Sequence, residues 1–81
     1  MKVIKVFTKQ GCANCPQAKK VVEEYGKEHN EVIIKCYDVG ECGGLAESAF
    51  YNIFSTPTVI VLKDDIEVKR ISGIAGKEDL E

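Results

Sequence analysis

The stretch Cys12-Ala13-Asn14-Cys15 is the part of this sequence best equipped for chemistry, because it sets two thiols three residues apart. Thiols at that spacing can close and reopen a disulfide. They also stand where an apolar strand pattern, Met1 to Thr8, gives way to a helical one. A helix start offers unpaired backbone N–H groups and the positive end of the helix dipole, and both favour a thiolate over a thiol. Cys12 is therefore the candidate nucleophile. Cys15, about one helical turn further on, can attack a mixed disulfide formed on Cys12 and release the reduced target. A static disulfide, a metal knuckle or two inert core cysteines are the competing readings, and the strand-to-helix junction favours the redox pair over all three.

Several elements must position this pair. Val3, Ile4, Val6 and Phe7 make a buried type of strand interrupted only by Lys5, and Thr8 to Gly11 form the loop into the cysteines. From about Ala13 to His29, the residues Ala18, Val21, Val22 and Tyr25 recur at helical spacing, with Lys19, Lys20, Glu23, Glu24, Lys27 and Glu28 opposite. Pro16 is tolerated in the first turn, where its missing N–H costs little. Val32 to about Val39 reads as a second strand, and strand, helix, strand at these lengths predicts a right-handed parallel crossover. Gly40 to Gly44 reads as a loop. Leu45, Ala49 and Ile53, flanked by Ala46 and Phe50, then predict the buried stripe of a short second helix. Thr58 to Leu62 is a continuous apolar strand, Lys63-Asp64-Asp65 a polar turn, and Ile66 to Ile71 an edge strand. Lys77 to Glu81 leaves room for one vestigial helical turn at most, and whether Leu80 and Glu81 belong to the fold is left open.

Composition narrows the function classes. At 81 residues the chain has room for one domain, 1–81, with a single modest core. It is 44% hydrophobic and 30% charged with a net charge of −2, which gives no basic surface for nucleic acid. No apolar run is long enough to span a membrane, and no cleavage-site pattern follows the first strand, so a cytoplasmic protein with reduced thiols is expected. Four cysteines in a secreted chain would suggest a stapled scaffold, but the strand and helix periodicities describe a core that needs no staples.

The order strand, Cys-x-x-Cys, helix, strand, helix, strand, strand resembles the thioredoxin fold over nearly the whole chain. Thr8-Lys9-Gln10-Gly11-Cys12-Ala13-Asn14-Cys15 resembles the T-K-x-x-C-x-x-C stretch of glutaredoxins and small glutaredoxin-like electron donors, while Thr56-Pro57-Thr58 is similar to the thioredoxin cis-proline segment. The resemblance implies an α/β fold with a four-stranded mixed sheet and flanking helices. It also implies a cis Thr56–Pro57 bond facing the cysteines, with Thr56 offering its backbone to an extended client segment. Two departures matter. Ser55-Thr56-Pro57 replaces the glutaredoxin Thr-Val-Pro, and Ile71 to Gly76 lacks the Gly-Gly and acidic segment, which argues against a glutathione site. The thioredoxin Trp before the first cysteine and the buried Asp on the first strand are also missing, so Cys15 must lose its proton to another base or to water.

The sequence therefore predicts a dithiol-disulfide oxidoreductase with Cys12 and Cys15 as catalytic residues and Lys9, Thr56 and Pro57 at the substrate. Lys9 is the electrostatic helper for the thiolate. The expected partners are a disulfide-containing client protein and a thioredoxin-reductase-like donor, acting on a monomer with no cofactor and no metal. The alternatives are a glutathione-dependent glutaredoxin and a zinc or iron-sulfur module using Cys12, Cys15, Cys36 and Cys42. Cys36 reads as an inert core thiol on the second strand and Cys42 as a partly exposed loop thiol at the active-site edge of the sheet. Tyr37 and Tyr51 read as core aromatics, and His29 as the favourable cation at a helix end.

Overall fold

Alternation along the first strand sets the architecture. In the computed structural model, which describes residues 1–81, β1 (Lys2–Thr8) turns Ile4 and Val6 to one side and Val3, Lys5 and Phe7 to the other. Helix α1 (Cys15–Glu28) covers the first side and α2 (Cys42–Tyr51) the second. Strands β2 (Val32–Asp38), β3 (Thr58–Lys63) and β4 (Ile66–Ser72) complete a sheet ordered β2-β1-β3-β4. β1 pairs parallel with β2 and antiparallel with β3, and β3 pairs antiparallel with β4. This is the expected four-stranded mixed sheet with flanking helices.

The larger core lies under α1. Ala18, Val22 and Tyr25 project from the helix at the expected spacing and are buried, and Val22 and Tyr25 join Ile4, Val6, Val32, Val59 and Val61. Leu80, in the C-terminal 3-10 turn Lys77–Leu80, is fully buried in the same cluster. The turn is thus part of the core, which the sequence left open because so short a segment carries no periodicity from which burial can be inferred. The hairpin at Asp64 and Asp65 places both residues at positive φ, 52° and 69°, as a two-residue turn matched to strand twist demands.

Helix α2 departs from the expected orientation. It starts at Cys42 instead of after Gly44, and Ile53 lies beyond its end. Its inward residues are Gly44 and Ser48, whereas Leu45 and Phe50 are 60% and 74% exposed. The cause is steric. A Cβ at Gly44 would overlap the backbone carbonyl of Asp38, so only the glycine face can approach the end of β2. With the helix turned this way, Leu45 and Ala49 point outward, while Ile53, past the helix end, packs partly buried against Phe7, Ile60 and Leu62.

A charge fastens what apolar packing does not. Lys5, on the α2 side of β1, donates from Nζ to Glu47 Oε1 at 2.7 Å and to the Tyr51 hydroxyl at 3.1 Å. Its ammonium also lies over the Tyr51 and Tyr37 rings, and both tyrosines pack on Phe7. Partial burial works against the Lys5 ammonium, but the hydrogen bonds to Glu47 and Tyr51 outweigh it and raise its pKa. Tyr37 is raised by burial, with Lys5 opposing. Both shifts favour the neutral-pH protonation states in the fold, so their stabilisation is complete below the unfolded-chain values and disappears as pH climbs through the folded ones.

Two measurements follow. Gly44→Ala is expected to destabilise by about 2–4 kcal/mol in urea unfolding, whereas Gly43→Ala, with open space at its Cβ, stays within about 0.5 kcal/mol of the parent. Equal effects would show that the Asp38 contact does not fix α2. Stability is expected to decline as pH rises past the ordinary values of 9.0 for Cys36, 10.0 for Tyr37 and 10.5 for Lys5, and Lys5→Met to make the upper part of that limb shallower, the contributions of Cys36, Tyr37 and Lys77 remaining. An unchanged limb in Lys5→Met would remove Lys5 from this role.

Candidate active site

The end of β1 delivers the two cysteines through a tight turn. Gly11 adopts φ 85°, which a side chain resists, and the Cys12 N–H donates to the Lys9 carbonyl at 3.1 Å. Ala13 and Asn14 continue the bend, so α1 begins at Cys15 instead of near Ala13. Pro16 occupies the first turn, as expected. No acidic residue stands in that turn to offset the positive end of the helix.

Cys12 and Cys15 are joined in a disulfide, with Cα atoms 5.4 Å apart. Their exposures differ. Cys15 is 4% exposed while Cys12 is half-buried, so attack from solvent can reach only the first sulfur readily. Both cysteines line an open cleft of about 610 Å³ together with Lys9, Gln10, Lys19 and Asp38.

Asp38 and Lys19 were not foreseen as neighbours of the pair. Asp38 arrives through the parallel register, which sets Thr8 opposite Asp38 and lets the Val39 N–H donate to the Thr8 carbonyl at 2.9 Å. That crossover was legible in the sequence and was the available signal. Asp38 Oδ1 accepts the Gly40 N–H at 2.8 Å, which holds the carboxylate over the turn. Lys19 looked like one more outer-face residue of α1, and its position one turn after Cys15 is what brings it to the cleft. Neither Lys9 nor Lys19 belongs to any ion pair.

The proline segment lies beside this cleft. The Thr56–Pro57 bond is cis. Pro57 is buried and lines no part of the cleft, whereas half-buried Thr56 lines an adjoining groove of about 240 Å³ that it shares with Lys9, Ile53 and Phe54. Thr58 Oγ1 donates to the Ser55 carbonyl at 2.6 Å and the Gly73 N–H to the Pro57 carbonyl at 2.8 Å, which hold the segment on both sides. The Thr56 N–H and carbonyl have no backbone partner.

The remaining cysteines separate from the pair and from each other. Cys42 opens α2, exposed, on the loop edge that parallel pairing predicts. Cys36 is exposed, not in the core: β2 is an edge strand, with no neighbouring strand on its outer flank. Its sulfur nevertheless sits in a groove between β2 and α1 with Glu23, Gly26 and Ile34, and burial there pushes its pKa up, Lys19 opposing and Glu23 adding. No three metal-binding side chains gather anywhere, so a four-thiolate site has no geometric basis. Tyr37 and Tyr51 pack on Phe7, as core aromatics would. His29 donates from Nδ1 to the Tyr25 carbonyl at 3.0 Å and stacks on that ring at the far end of α1.

A thioredoxin-domain family profile matches residues 2–80. An H-type thioredoxin of Oryza sativa subsp. indica is 34% identical over 79 residues, covering 98% of this chain and 62% of the rice protein, so the chain spans less than two thirds of that relative. A thioredoxin of Chlamydia caviae is 31% identical over 91% of this chain and 71% of its own length. Among solved structures, Fasciola hepatica thioredoxin superposes with a TM-score of 0.84 at 30% identity, covering 95% of this chain and 72% of that one.

Iodoacetamide at neutral pH is expected to label Cys12 first in the reduced protein, with Cys36 lagging until the pH passes the ordinary thiol value of 9.0. Peptide mapping over a pH series checks this. Faster labelling of buried Cys15 would reverse the two roles.

Proposed function

Because the chain belongs to the thioredoxin-domain family, we propose that it is a dithiol-disulfide oxidoreductase that reduces disulfides in client proteins. The observation that carries this reading is the unequal exposure of the bonded pair at an unopposed helix start. Cys12, reduced and ionised, attacks one sulfur of the client disulfide. That S–S bond breaks, its electron pair leaves on the second client sulfur, which takes a proton from solvent, and a mixed disulfide forms on Cys12. Cys15 then gives its proton to solvent and attacks Cys12 Sγ. The mixed bond breaks, the first client sulfur leaves as thiolate and is protonated, and the Cys12–Cys15 disulfide closes. Two electrons reach the client.

Lys9, at the cleft, favours the Cys12 thiolate by its charge. The free N–H and carbonyl of Thr56 suit an added client strand, with Pro57 fixing where that strand runs. A dithiol donor of the thioredoxin-reductase kind restores the reduced pair. Residues 1–81 act as one domain and as a monomer, in a reducing compartment such as the cytoplasm; no helix is long and apolar enough to cross a membrane.

Cys12→Ser is expected to lower insulin-disulfide reduction by at least about a thousandfold, and Cys15→Ser to accumulate mixed disulfides with its target. The proposal fails if Cys12→Ser retains activity. Full deglutathionylating activity in Cys15→Ser would instead favour the monothiol, glutathione-dependent alternative suggested by Thr8-Lys9.

A further inference from the structure

We propose that the client cysteine sits in an acidic segment, and that an apolar side chain near it seats on Phe54. This inference rests on the oxidoreductase reading and concerns the substrate of the same site. Phe54 is 94% exposed, the most exposed large apolar residue in the chain, and it lies three residues before Pro57. An aromatic ring held that far out of the core buries nothing of its own. Its groove is continuous with the cysteine cleft, because Lys9 lines both.

Charge identifies the occupant. The protein carries a net −2, yet the walls of the cleft hold Lys9 and Lys19 against one carboxylate, Asp38, and neither lysine is neutralised by an ion pair. Asp38 already accepts a backbone N–H from Gly40. The site is thus locally basic on an acidic protein, which steers acidic segments toward Cys12 and repels basic ones. Strand addition at Thr56 would run the same segment past Phe54, where one apolar side chain shields the ring.

Single-turnover reduction by the pre-reduced protein tests this. The probes are two quenched-fluorophore peptides, each with an intramolecular disulfide and a leucine nearby, the cysteines flanked by Glu in one and by Lys in the other. Bis(2-hydroxyethyl) disulfide is the neutral reference. In each reaction the Cys12–Cys15 dithiol is oxidised and one probe disulfide becomes two thiols, with no other reductant present.

The Glu peptide is expected to react about tenfold faster at low salt, the gap closing to about twofold at roughly 0.5 M salt. Lys9→Glu with Lys19→Glu reverses the preference. Phe54→Ser slows both peptides about fivefold and leaves their ratio intact. Equal rates for the two peptides, a preference for the Lys peptide, or an unaffected Phe54→Ser overturns the inference while leaving the oxidoreductase reading standing. Failure to reduce even the neutral disulfide overturns both. Sedimentation supplies the last arm: a dimer that Phe54→Ser dissolves would make a second copy of this chain the occupant, and so overturn the client assignment.

Discussion

The parallel pairing of β1 with β2 is the constraint on which the rest depends. Two neighbouring strands that run the same way cannot be joined by a hairpin, so the chain must cross back, and α1 is that crossover. The start of α1 then falls at the edge where β1 ends, and this is where Cys12 and Cys15 lie. The same pairing carries Asp38 and the start of α2 to that edge, as the Val39 to Thr8 hydrogen bond records. One choice of strand direction thus gathers thiols, lysines and carboxylate in a single cleft.

The two faces of the sheet are held by different means. Under α1 the contact is apolar and interdigitated, closed from the far end by Leu80. Under α2 the helix comes in on a glycine, and the gap is spanned by Lys5, Glu47 and two tyrosines. The partial burial of the Lys5 ammonium is offset by these partners, so removing Glu47 or Tyr51 leaves that desolvation uncompensated as well as a bond lost. The division places the rigid face behind the helix that carries the cysteines. The polar tether falls to the helix that leads into the proline segment.

Reactivity in the pair follows from depth. Cys15 is buried and Cys12 half-buried, an asymmetry of access that two equally exposed thiols would not have. Thr56, its N–H and carbonyl without a backbone partner, lines a groove that meets the cysteine cleft at Lys9.

Much of this was legible in the residues themselves. Local spacing sufficed for the Cys-x-x-Cys pair, the apolar stripe of α1, the strand of Thr58 to Leu62 and the polar hairpin turn, because each is an interaction between near neighbours in the chain. What the sequence could not decide was which face an ambiguous element would bury. Leu45, Ala49 and Ile53 read as one buried stripe, yet the backbone of Asp38 turned α2 onto Gly44 and Ser48 and left only Ile53 against the core. Cys36 looked buried because an apolar strand carries no mark of being at the edge of a sheet. Lys19 looked merely solvated. In each case the deciding contact joins residues far apart in sequence, and only the tertiary packing brings such partners together.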